Sequence, residues 1–203
     1  VNDEIYQTGV DPYVDPDSGI LRNKLGLTTQ ADLDAAESDI ASLEIVEMTV
    51  ENSPSLVAAD FDILKDIHHQ IFKLIYDWAG ELRTINVSKD KTKFCEFQFI
   101  EAEGKRIFDE LIHDNFLRKV SDKTDFLKRL AYYYSELNLL HPFREGNGRT
   151  LRTFISILAV HSNGSIIAWD KMNYNENIAA CAYAVYHDES KIERMMTGII
   201  EFA

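Results

Sequence analysis

The sequence predicts an all-α fold, a helical bundle that carries one β-hairpin. Three observations lead there. Apolar residues recur every three or four positions along most of the chain, which is the period of a helix face. One stretch, residues 83–98, alternates apolar and polar residues instead, as a half-buried strand does. Finally, a glycine-containing loop over residues 141–152 lies between two helical runs, so it feeds a helix N-terminus. At 203 residues and 45% hydrophobic, the chain suits a single domain with a full core.

Residues 1–28 read as an extended lead-in, because Asp11-Pro12 and Asp15-Pro16 both disfavour helix. Its Tyr13, Val14, Ile20, Leu21 and Leu25 are expected to pack across the domain. Residues 29–82 read as helices. Thr29 and Asp32 form a capping pair, and Leu33, Ala36, Ile40, Leu43, Val46 and Val50 form an apolar stripe ended by Ser53-Pro54. Asp60 opens a second helix with Phe61, Leu64, His68, Ile71, Ile75 and Trp78 inward, closed by Gly80. His68 and His69 are adjacent and cannot share a helix face as metal ligands would, so both read as structural.

Residues 83–98 form the hairpin. Residues 84–88 and 92–97 alternate on either side of the polar turn Lys89-Asp90-Lys91, and the outer edge offers unpaired N–H and C=O groups. Residues 99–162 hold the core helices. Ile107, Leu111 and Phe116 point inward in the first. The central helix starts at Asp122 or Thr124, buries Phe126, Leu130, Tyr133, Leu137 and Leu140, and delivers His141 at its end. The next runs from about Thr150 to His161, burying Leu151, Phe154, Ile155 and Leu158; it stops at Asn163-Gly164, with His161 as a cap. Residues 163–203 read as two shorter helices. Tyr174–Val185 carries Ile178, Ala182 and Val185, and Ser190 and Glu193 make a capping box for a last helix with Ile192, Met195, Met196 and Ile199 apolar.

Composition narrows the function classes. A net charge of −13 argues against a nucleic-acid surface, which needs a basic face, but it leaves room for nucleotide binding by a few local arginines. Cys95 and Cys181 are too few for a disulfide scaffold and too far apart for a metal motif, so a reducing cytosolic compartment is expected. No apolar stretch reaches membrane-spanning length, and the opening residues carry no secretory-signal pattern. The chain opens on Val1 rather than Met and closes at Phe202-Ala203, so a trimmed start and a further downstream domain are expected.

The loop from His141 to Arg152 carries the chemistry. Gly146 and Gly148 allow backbone conformations other residues avoid, and N–H groups can converge there at a helix N-terminus, a cradle suited to phosphate. Arg149 and Arg152 are three apart and share one helix face. Glu145 can hold Mg²⁺, which favours a carboxylate, waters and the phosphates themselves. His141 brings an imidazole, the side chain best suited to general-base work, and is the candidate base. Each part alone has an ordinary structural explanation, but those explanations do not account for base, carboxylate, glycines and two arginines in one loop.

These residues resemble the signature of the Fic family, His-x-Phe-x-Asp/Glu-Gly-Asn-Gly-Arg-x-x-Arg, at every fixed position from His141 to Arg152. The lead-in from Asp11-Pro12-Tyr13 to Leu25-Gly26 also resembles the segment that precedes the core in Fic toxins and related bacterial effectors. The chain does not match the Doc kinases of that family, which carry a Lys and lack the second Gly. The resemblance implies a single Fic domain over residues 1–203, a Fic-type bundle with the hairpin as a flap over the active site. It implies transfer of AMP from ATP to a Tyr, Thr or Ser hydroxyl of a target protein, with Mg²⁺. In that scheme His141 is the base and Glu145 the metal ligand. Gly146, Asn147 and Gly148 surround the α-phosphate, Arg149 binds the β-phosphate and Arg152 the γ-phosphate. Lys93, Phe94 and Cys95 of the flap align the target by main-chain pairing.

Related toxins modify type II topoisomerase subunits and related effectors modify small GTPases, so the location implied is the bacterial cytoplasm, or a host cell for an effector. Fic enzymes are commonly silenced by a helix bearing Ser/Thr-x-x-x-Glu-Gly/Asn. Here only Thr92 and Thr197 have a Glu four residues on, and Phe97 and Phe202 follow those glutamates. The inhibitor expected is therefore a separate small antitoxin-like protein. A Fic-type transferase using UTP or CDP-choline, removal of AMP from proteins, and a non-catalytic binding module are the alternatives.

Overall fold

Seven helices assemble around a central pair in the structure, a computed structural model that describes residues 4–5, 11–50, 54–89 and 92–203. They are α1 (Gln30–Val50), α2 (Asp62–Phe72), α3 (Ile100–His113), α4 (Lys123–Leu140), α5 (Asn147–Asn163), α6 (Tyr174–Ala184) and α7 (Ser190–Ile199). The all-α expectation holds, and the hairpin is present as β2 (Val87–Lys89) and β3 (Thr92–Lys93). A strand that the sequence did not announce, β1 (Glu4–Ile5), pairs antiparallel with β2, so the sheet order is β1-β2-β3. A second unannounced pair, β4 (Ile166–Ile167) with β5 (Ile200–Glu201), ties the segment after α5 to the chain's last turn. Residues 1–3, 6–10, 51–53 and the hairpin turn at 90–91 lie outside the described residues, so the Ser53-Pro54 stop and the Lys89-Asp90-Lys91 turn are described only in part.

The main core sits between α2, α4 and α5. Phe72, Ile71, Phe126, Leu130, Phe154, Ile155 and Leu158 there have no exposed surface. Each such side chain contributes about 1.5–3 kcal/mol on burial. The α4 stripe is buried throughout, and Asp122 caps it by accepting from the Asp125 N–H. Thr29 likewise accepts from the Asp32 N–H at the start of α1. The lead-in packs as expected through Ile20, Leu21, Tyr13 and Val14, but Leu25 is exposed.

Several expectations are corrected. On α1 the inward face is Leu33, Glu37, Ala41 and Met48, whereas Leu43 and Val46 are exposed; a carboxylate belongs to the buried stripe, so apolar residues alone gave the wrong face. The second helix ends at Phe72, not Gly80, and residues 73–80 form turns that keep Ile75 and Trp78 buried. Gly80 is at φ 88, and its N–H donates to His68 Nδ1 at 2.8 Å. Phe116 is buried but falls in the left-handed turn after α3. On α6 the core face is Asn177, Ala180 and Cys181, with Ile178 and Ala182 half-buried. The Ser190–Glu193 capping box does not form; the Ser190 N–H donates to Asp188 Oδ1 instead. His161 lies beside Arg118 rather than capping α5, which ends on Gly164 in the left-handed conformation.

Candidate active site

Residues from the loop, the flap and α6 meet around a cavity of about 600 Å³. His141 ends α4 in the left-handed conformation, φ 45 and ψ 60, because Pro142 cannot continue a helix. Such a backbone costs a non-glycine residue about 1–3 kcal/mol and persists only where the surroundings enforce it. The His141 ring is nearly buried and stacks on Phe94 of the flap, with centroids 3.6 Å apart. Its Nδ1 lies 3.3 Å from the Asn138 carbonyl. A carbonyl only accepts, so this contact calls for Nδ1–H, and in the neutral ring the lone pair is then on Nε2.

The loop that follows is held in shape by its own residues. Phe143 is buried and stacks 3.8 Å from the His68 ring. Because the Gly80 N–H occupies His68 Nδ1, His68 Nε2 carries the proton and donates to the Glu145 carbonyl at 3.0 Å. Burial drops the His68 pKa to about 3, so it stays neutral. His68 is structural, as expected, but what it supports is the active-site loop. Asn147 uses its carboxamide as a bracket: Oδ1 accepts from the Phe143 N–H and Nδ2 donates to the Phe143 carbonyl, both at 2.8 Å. Arg144, a variable position of the signature, is buried and pairs with Asp11 of the lead-in at 3.0 Å.

The helix starts earlier than expected. α5 begins at Asn147, so Asn147, Gly148 and Arg149 form its first turn, where main-chain N–H groups have no intrahelical acceptor. Gly146 precedes it at φ 80, with the Phe72 ring packed against the place a Cβ would occupy. Gly148 has ordinary helical backbone; its lack of a side chain instead admits the Arg152 guanidinium, which would lie 3.2 Å from a Cβ. Glu145 and both arginines line the cavity. Glu145 Oε1 accepts from the Gly146 N–H at 2.9 Å and lies 3.8 Å from Arg149.

Sequence reasoning missed Glu37. Buried on α1, it accepts from Arg149 Nη2 at 2.5 Å and from the Tyr76 hydroxyl, while the Arg149 guanidinium lies 4.8 Å from the Phe72 ring centre. The visible signal was a carboxylate four residues after Leu33 and four before Ala41, on a helix face that packs inward. Also missed was the cavity's far wall: Tyr174, Asn177, Ile178, Cys181, Ala182 and Tyr186, facing Lys89 of the flap. On that helix the sequence singles out only Ile178, Ala182 and Val185, with no site attached to them. Burial pushes the Cys181 thiol up to about 12, which makes it part of the wall and not a nucleophile. Among the described residues, no three His, Cys, Asp or Glu side chains cluster as a metal cage. One carboxylate beside an anion cradle is nevertheless what Mg²⁺ held mainly by phosphates and water needs.

A histidine, a carboxylate, two arginines and a helix start with unpaired main-chain N–H groups around one nucleotide-sized cavity are the parts that a nucleotide-dependent transferase needs, set here on a helical bundle. The Fic/DOC family profile matches residues 58–159, and the chain belongs to that family. It is 38% identical over 183 residues to the protein adenylyltransferase VbhT of Bartonella schoenbuchensis, covering 89% of this chain and 37% of VbhT. It is 37% identical over 161 residues to the probable protein adenylyltransferase Fic of Escherichia coli, covering 79% of this chain and 78% of that protein. The chain thus spans little more than a third of VbhT and most of the E. coli protein. In fold it superposes on the BepC protein of Bartonella tribocorum, a VirB-translocated effector solved with AMPPNP, with a TM-score of 0.85 at 22% identity over 94% of this chain and 97% of that one.

Proposed function

We propose that this chain transfers AMP from ATP to a Tyr, Thr or Ser hydroxyl of a target protein and releases pyrophosphate. The observation that carries this is the shared cavity: His141, Glu145, Arg149 and Arg152 line it together with the start of α5, and with Nδ1–H turned to the Asn138 carbonyl it is Nε2 of the neutral ring that serves as base. Nε2 takes the hydroxyl proton as the oxygen bonds to the α-phosphorus and the bond to pyrophosphate breaks. A positioned base contributes about 10²–10⁴-fold. The main-chain N–H groups of Asn147 and Gly148, in the turn that Gly146 opens, face the α-phosphate as its charge grows. Arg149 takes the β-phosphate from the wall where Glu37 holds it, and Arg152 takes the γ-phosphate. Glu145 would hold Mg²⁺, which would supply neutralisation of the phosphate charge. The apolar face of α6, with Ile178, Ala182 and Tyr186, receives the adenine ring.

The target adds along the flap at Lys93 and Phe94, next to the ring of the base, while Cys95, whose N–H and carbonyl are taken by the Leu139 carbonyl and Arg83, anchors that strand. Two target classes fit a flap that aligns a hydroxyl by main-chain pairing: a type II topoisomerase subunit and a small GTPase. Control comes from a small antitoxin-like partner bearing Ser/Thr-x-x-x-Glu-Gly/Asn. Neither Glu96 nor Glu201 lines the cavity, and Glu201 pairs with Lys171 at 2.8 Å. The protein acts in the bacterial cytoplasm, or in a host cell if it is translocated as BepC is described to be.

The test is incubation of the purified chain with Mg²⁺ and α-labelled ATP, alone and with bacterial or host-cell lysate, beside the His141→Ala variant. Label on the chain or on a discrete lysate band, lost in the variant, is expected. Label from UTP or CDP-choline but not ATP would replace the donor, and absence of any nucleotide binding would overturn the reading.

A further inference from the structure

Arg83 takes part in none of the steps above, yet it is 2% exposed and heads the largest fully buried side chains. A guanidinium keeps its charge in such a place and must spread it over fixed acceptors. Its Nε donates to the His141 carbonyl at 2.8 Å, Nη1 to the Ile85 carbonyl at 2.6 Å, and Nη2 to the Cys95 carbonyl. Its own main-chain N–H donates to the Pro142 carbonyl at 2.9 Å. Ile85 leads into β2 and Cys95 follows β3, so one planar fork holds both legs of the flap and the main chain of the base.

Both sides of this junction need holding. The flap is a short hairpin with a satellite core of Ile85, Val87 and Phe94, and hairpins of that size are marginal alone. Its other anchors include β1 paired along β2, the Phe94 ring on His141, the Cys95 N–H on the Leu139 carbonyl at 3.0 Å and the Phe97 N–H on Asn86 Oδ1 at 2.9 Å. His141, for its part, sits in a left-handed conformation that its surroundings must enforce.

We infer that Arg83 is a positioning residue that fixes the distance between the target-holding flap and His141, so that a hydroxyl delivered along the flap arrives at Nε2. The effect on rate rests on the transfer reading above; the geometry does not. Lysine cannot substitute, because a single ammonium on a flexible stem does not present a planar fork to three carbonyls.

The experiment compares wild type with Arg83→Lys and Arg83→Met in three assays: AMPPNP binding, amide hydrogen exchange, and transfer of labelled AMP. Expected are unchanged AMPPNP affinity and exchange about tenfold faster at Phe94, Cys95 and Phe97, with α5 amides unaffected. Transfer to the target should fall by ~10²-fold, as for a base displaced by about an ångström. A merely structural residue would lower nucleotide binding and flap protection together. Unchanged flap exchange in Arg83→Lys, parallel loss of AMPPNP binding, or failure of both variants to fold would each overturn the inference. If the wild-type protein transfers no label, the transfer reading fails, and the exchange comparison still decides whether Arg83 joins flap to base.

Discussion

Replacing Glu37 by Gln removes a charge from α1 without removing bulk, and its cost can be worked from the contacts. Glu37 accepts from Arg149 at 2.5 Å and from the Tyr76 hydroxyl, and burial and the neighbouring carboxylate together hold that phenol far above its ordinary pKa. Breaking a buried ion pair from one side costs about 3–5 kcal/mol, and an exposed pair about 0–1. The Glu37 side chain is 10% exposed and that of Arg149 is 24%, so the pair lies between those limits. Gln keeps an acceptor for Tyr76 but turns an amide towards a guanidinium. We expect a loss of about 2–3 kcal/mol, which for a domain this size lowers the melting midpoint by roughly 5–10 °C. Thermal unfolding followed by circular dichroism reads it directly. Glu37→Gln combined with Arg149→Met should be less destabilised than the two single changes added together, because the second removes the charge that the first orphans. A midpoint equal to wild type, or strict additivity, would refute the claim that Glu37 anchors Arg149.

Three further outcomes follow from the loop. Gly146→Ala meets both a left-handed backbone, about 1–2 kcal/mol, and overpacking against Phe72, about 1–3 kcal/mol; a destabilised protein with lost AMPPNP binding is expected, and a stable, binding-competent variant would contradict the geometry. His68 takes up a proton near 6.5 when unfolded but only near 3 when folded, so the unfolded state binds more protons between those values. Its stabilising contribution is full above 6.5 and declines by about 1.4 kcal/mol per pH unit below it, so His68→Gln should flatten the acid limb of a urea-midpoint against pH curve; an unchanged slope would count against the buried neutral ring. Arg152→Ala should raise the KM for ATP by roughly 10–150-fold, the worth of one charge-assisted contact, while leaving the melting midpoint near wild type. A normal KM would remove Arg152 from the γ-phosphate.

The helices and the loop could be read in the sequence because their determinants are local. The stripes of α2, α4 and α5 follow from residue spacing, and the His141–Arg152 signature concentrates its chemistry in one stretch. Boundaries failed where non-helical turns stayed buried, as between Phe72 and Gly80, and where polar residues continued an apolar face, as Glu37 does on α1. The α6 stripe was found but not connected to the site, because apolar spacing is the same whether a helix lines a cavity or packs against another helix.

What the sequence determined by itself was therefore the fold class and the groups from His141 to Arg152 that line the cavity. What only the tertiary structure decided was how those groups are held. Glu37 meets Arg149 across 112 residues, His68 meets the Glu145 carbonyl across 77, and Arg83 meets the His141 carbonyl across 58. Such pairings follow from how whole helices stack, and residue spacing along the chain carries no record of which faces will meet. The orientation of the base, the shape of its loop and the distance to the flap were all settled at that level.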